Sequence, residues 1–77
     1  MPRYSIRLSA SDGETKPLSR YCWARDRDHA AMQAQVWLDT VRHLNPSRRA
    51  LDTWSVATGT SPYLTPVIVA TGHAEGS

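Results

Sequence analysis

The chain has 77 residues, a formal net charge of +2 and a single cysteine. That length makes one domain with one thin core, because a chain this short buries only about 60% of the surface it exposes when unfolded. One cysteine excludes an internal disulfide and a cysteine-based zinc site within one chain. Eight of the nine cations are Arg and one is Lys16, a bias that suits bidentate and stacked contacts at an interface and equally a GC-rich coding sequence.

The N-terminal segment Met1 to Leu8 alternates apolar and polar residues, so it does not read as a secretory signal. Tyr4, Ile6 and Leu8 set against Arg3, Ser5, Arg7 and Ser9 predict a half-buried strand. Ser11-Asp12-Gly13-Glu14 supplies turn chemistry. A second strand is expected from Leu18 through Arg20-Tyr21-Cys22-Trp23-Ala24, giving a hairpin with a long loop.

Asp26 or Asp28 then caps a helix, a carboxylate being suited to the orphan N–H groups and the positive end of the dipole. Ala30, Ala34, Trp37, Leu38, Val41 and Leu44 form one stripe at the helical period. Asn45-Pro46 ends the element, and Arg42 and His43 complement its negative end. After a loop with Pro46-Ser47-Arg48-Arg49, Thr53 to Thr58 predicts a third strand. A turn at Gly59 to Pro62 leads to a fourth over Thr65 to Thr71, with Pro66 near its start. The fold expected is α+β: a small two-layer ββαββ domain, an antiparallel sheet with one helix on one face, over residues 1–72. Residues 73–77 are expected to be a flexible tail, and the whole frayed from Gly72. The longest apolar run, Val67 to Ala70, is far below a membrane span, so the expectation is a cytoplasmic protein with no membrane partner.

One helix covers only one sheet face. The covered face is expected to hold Tyr4, Ile6, Leu8, Cys22, Ala24, Trp54, Val56, Val67 and Val69. The opposite face then holds Arg3, Ser5, Arg7, Tyr21, Trp23, Ser55, Ala57, Ile68 and Ala70. Aromatics with Arg are the composition that interface hot spots favour. A shift of strand 2 by one residue would turn Tyr21 and Trp23 into the core instead, and a homodimer built back to back would also cover the face. Met32 and Val36, one turn apart on the far side of the helix beside His29 and His43, form a second candidate patch. The candidate partner-binding residues are therefore Arg3, Arg7, Arg20, Tyr21, Trp23, Arg25, Met32 and Val36.

No catalytic set emerges. Asp26 and Asp28 read as cap and dipole partners, His29 and His43 lie too far apart along the helix to share an ion, and no Gly-rich phosphate loop occurs. No enzyme activity, metal or cofactor is expected. For nucleic acid, Arg3, Arg7, Arg20, Arg25 and Arg27 gather on the hairpin side, with Tyr21 and Trp23 between them, and Arg42, Arg48 and Arg49 follow the helix. A base-stacking sheet face is the second reading.

In size and ββαββ order the chain resembles small phage-encoded anti-CRISPR proteins. The resemblance covers the whole chain and rests on architecture without a motif. It implies a non-enzymatic inhibitor in the host cytoplasm that blocks a larger protein or ribonucleoprotein complex, such as a CRISPR surveillance complex. The segment Tyr21-Cys22-Trp23-Ala24-Arg25-Asp26-Arg27-Asp28-His29-Ala30-Ala31 is also similar to the strand-to-helix junction of HicB-like antitoxins, although the acidic, proline-containing stretch usual in their second strand is missing here. That likeness implies a regulatory module.

Overall fold

The computed structural model describes residues 2–58 and 67–74. Their elements run β1 (Arg3–Ser9), β2 (Leu18–Trp23), α1 (Arg27–Leu44), a 3-10 turn (Pro46–Arg48), β3 (Thr53–Thr58) and β4 (Val67–His73). The strands form one antiparallel sheet in the order β2-β1-β3-β4, with α1 packed on β3, β4 and β1. This is the α+β arrangement that the alternating and helical patterns predict. The expected turn at Gly59 to Pro62 and the start of the fourth strand at Thr65-Pro66 lie outside the described residues.

β1 alternates as read: Tyr4, Ile6 and Leu8 are buried. The pairings Arg3 with Trp23 and Ser5 with Tyr21 settle the register of β2. Cys22 and Ala24 point inward, while Tyr21 and Trp23 are both 61% exposed. The Ala24 N–H donates to the Pro2 carbonyl and carries the pairing one residue past the strand.

Asp26, not Asp28, is the N-cap of α1. Its extended backbone lets a carboxylate oxygen accept from the His29 N–H at 2.8 Å. The His29 ring answers in the other direction, Nδ1 accepting from the Arg25 N–H at 3.1 Å, one residue before the N–H that a capping box engages. Asn45 closes the helix by donating its N–H to the Val41 carbonyl.

The core contains Ile6, Leu8, Leu38, Leu51 and Val56 as its largest fully buried side chains, each worth about 1.5–3 kcal/mol of apolar transfer. Three of the expected positions differ. Leu44 is 67% exposed: it ends the last turn, where the chain bends into the 3-10 segment at Pro46, and Leu51 enters the core after that turn instead. Val67, expected beneath the helix, is exposed. Ala70, expected on the open face, packs against the core.

A β-bulge causes the change at Ala70, whereas Val67, in the row of Thr58 and Tyr4, keeps the helix side of the sheet and is exposed at the start of the strand. Val56 pairs with Ala70 but Ala57 pairs with Ile68, so Val69 is an extra residue. One inserted residue reverses the facing of everything beyond it. Ile68 keeps its outward position, Ala70 and Gly72 turn toward the helix, and Val69 packs partly against the core. The strand also runs further than expected. Gly72 pairs with Trp54 and His73 with Thr53, and the Ala74 N–H donates to the Asp52 carbonyl at 2.9 Å. The chain is therefore held in the sheet through the positions read as the start of a tail, and residues 75–77 lie outside the described part.

Candidate binding surface

The uncovered face of the sheet can be built row by row from the strand register. One row runs Ser19, Arg7, Ser55, Thr71 across β2, β1, β3 and β4. The next runs Tyr21, Ser5, Ala57, Ile68, and a third pairs Trp23 with Arg3. Rows on one face are spaced by about 7 Å, two residues of extended chain. The middle of this face is recessed because Ser5, Ser19, Ser55 and Ala57 are small, and together with Arg7 and Ile68 they line a recess of about 230 Å³. Tyr21, Trp23 and Ile68 stand around it, each more than 60% exposed.

The electrostatics of this face have one sign. None of the four strands contains an Asp or Glu, so Arg3 and Arg7 have no carboxylate beside them on the sheet. Arg3 lies over the Tyr21 ring, its guanidinium carbon 4.5 Å from the centroid, and its Nε is buried without an acceptor. Stacking of this kind is worth about 0.5–1 kcal/mol at an exposed site and holds both side chains in place.

The second candidate patch lies on the other side of the sheet. α1 sits over β1, β3 and β4, which leaves the inner side of the edge strand β2 beside the flank of the helix. A groove of about 360 Å³ opens there, lined by Cys22 and Arg20 from β2 and by His29, Met32, Val36 and Trp37 from α1. Met32 and Val36 are 64% and 59% exposed. Arg20 stacks on Trp37, 5.2 Å from the ring centroid. His43 is not part of the groove lining.

The eight predicted contact residues thus divide. Arg3, Arg7, Tyr21 and Trp23 share the outer face. Arg20 pairs with inward-facing Ile6 and belongs to the groove, with Met32 and Val36. Arg25 belongs to neither, being exposed in the β2–α1 junction where its N–H meets His29. The other basic cluster is partly tied into the fold, with Arg42 donating to the Arg49 carbonyl and Arg48 to the Lys16 carbonyl. Of the residues in these rows, sequence reasoning left out Ser19 and Thr71. The signal for Ser19 was present, two positions before Tyr21 in the same alternation, whereas Thr71 comes to this face only through the bulge at Val69.

Other chemistry-bearing groups have local partners. Burial raises the pKa of the Cys22 thiol, partly offset by the nearby Arg20 charge, so it is a poorer nucleophile than a free thiol. The His29 ring and the Asp26 carboxylate are engaged in the helix cap. Among the described residues no three His, Cys, Asp or Glu side chains gather as a metal site, and no helix is long and apolar enough to cross a membrane. Comparison with protein-family models, with curated proteins and with solved structures finds no match to this chain.

Proposed function

We propose that this chain is a non-enzymatic binding protein that inhibits a larger protein or ribonucleoprotein complex by laying the outer face of its sheet against it. The observation that carries the reading is the open face itself. A single helix leaves it uncovered, and it presents Trp23, Tyr21, Arg3 and Arg7 together with no carboxylate on any strand. Fixed aromatics beside guanidinium groups are the anchors that dominate interface energies. The positive sign of the face favours an anionic counterpart, an acidic protein patch or the rim of a nucleic-acid channel. DNA mimicry is disfavoured, since seven acidic residues stand against nine basic ones.

The resemblance in size and element order to anti-CRISPR proteins gives this reading its most concrete form, a cytoplasmic inhibitor of a surveillance complex. The test is twofold. Tagged protein should retain one assembly stoichiometrically from host lysate, and the purified protein should inhibit that assembly when added back. A chain that retains no assembly and merely runs at twice its mass would be a homodimeric module, and the proposal would fall.

A further inference from the structure

We propose that the outer sheet face binds single-stranded nucleic acid, with a phosphodiester seated at Arg7 between the Ser19 and Ser55 hydroxyls and a base stacked on Trp23. This rests on the reading of that face as the binding surface, and assigns it the nucleic-acid component of a ribonucleoprotein target. Several observations converge on the ligand class. Arg7 stands between Ser19 on β2 and Ser55 on β3 in the strand register, and all three line the recess of about 230 Å³. The only ion pair among the described residues is Arg27 with Asp28, so Arg7 has no carboxylate partner among them. Arg42 and Arg48, by contrast, donate to backbone carbonyls.

A guanidinium flanked on both sides by hydroxyls supplies the several donors that the oxygens of a phosphodiester can use at once. A carboxylate can accept from the same donors, so it is the exposed stacking ring beside them that favours a nucleic acid. Trp23, two rows away on the same face and 61% exposed, offers a flat apolar ring. Such a surface is energetically poor against water, and a base can cover it whatever its sequence. Arg3, held on the Tyr21 ring at 4.5 Å, adds a second positive charge between the stacking ring and the phosphate seat. An anionic strand crossing these rows meets no carboxylate on the sheet.

The experiment is fluorescence anisotropy with labelled oligothymidylate and oligouridylate of about 15 nucleotides, titrated at about 50 and 200 mM salt. The wild-type chain is expected to bind both single strands and to bind a duplex of equal length more weakly. Trp23→Ala should weaken binding by about 5- to 100-fold, with Trp23→Phe recovering most of the loss. Arg7→Ala should make the dependence of log affinity on log salt shallower by about 0.7, one phosphate contact on a single strand. Both side chains are exposed, and circular dichroism and thermal melts verify that the variants stay folded. Absence of single-strand binding, equal affinity for duplex, or undiminished binding by folded Trp23→Ala and Arg7→Ala would each overturn the proposal. If the wild type binds no oligonucleotide while Trp23→Ala still loses its target assembly, the nucleic-acid inference fails and the face remains a protein contact.

Discussion

Gly72 lies flat against the indole of Trp54, its partner across the β3–β4 ladder. A methyl group at Gly72 would overlap ring atoms Cε2, Cζ2 and Nε1. The ring cannot give way freely, because its Nε1 donates to Gln35 Oε1 on α1 at 2.8 Å. Trp54 is thus clamped between helix and edge strand, and glycine is required for close approach rather than for a turn. Gly72→Ala should cost about 1–3 kcal/mol by overpacking, read as a lower urea midpoint. Combining it with Trp54→Phe should cost less than the sum of the two single changes, since the smaller ring relieves the overlap.

The replacement of Leu44 by Leu51 in the core gives a paired test. Leu38→Ala and Leu51→Ala each empty a fully buried site and should destabilise by about 2–5 kcal/mol. Leu44→Ala, on an exposed side chain, should change stability by less than about 0.5 kcal/mol. Denaturant midpoints of the three variants check this directly, and a large loss at Leu44 would place it in the core after all.

Two carboxylates, exposed Asp12 and half-buried Asp52, give the fold an acid limit. The hydroxyl of Ser11, then that of Thr53, hydrogen-bonds Asp52 and holds its carboxyl below its ordinary value of 3.8. Asp12 is lowered by the backbone N–H groups of Thr15 and Glu14 and by the Thr15 hydroxyl, around the turn in which Gly13 takes a φ of 74°. A depressed carboxylate contributes stability that is fully present above its unfolded value and is lost as pH falls through its folded value. Melting temperature should therefore fall below about pH 4, and the fall should be shallower in an Asp12→Asn, Asp52→Asn double variant. An unchanged slope would mean that neither bond network matters to folding.

The strand-to-helix junction depends on reciprocal bonds between the Asp26 and His29 side chains and the backbone. Asp26→Ala should cost about 1 kcal/mol, while Asp26→Ser, which keeps an acceptor, should cost much less. Thermal melts of the two variants make the comparison.

The local patterns in this chain were readable because each had a single strong period. Tyr4, Ile6 and Leu8 fixed β1, and the stripe from Ala30 to Val41 fixed α1. The register of β2 was open to sequence reasoning because Tyr21-Cys22-Trp23-Ala24 is apolar on both faces; only pairing with Arg3 and Ser5 decides it. The bulge at Val69 had no local signature, since Val67-Ile68-Val69-Ala70 is continuously apolar and tolerates either facing. Charge alone groups Arg20 with the other cations of the hairpin side. In the sheet it lines the groove and its guanidinium stacks on Trp37, as long Arg side chains do over apolar surface. The strand order, which sets which edge lies beside the groove, depends on long-range pairing that no local window contains.

The proposed function requires that the outer face, and not the groove on the opposite side, contacts the target. The most direct measurement compares target capture by wild type with that by Trp23→Ala, Arg7→Glu and a Met32→Ser, Val36→Ser double variant, all verified as folded. Loss of capture in the first two with retention in the groove variant is the predicted result. Full capture by Trp23→Ala and Arg7→Glu, with loss in the groove variant, would rule out the outer face and move the binding surface to the flank of α1.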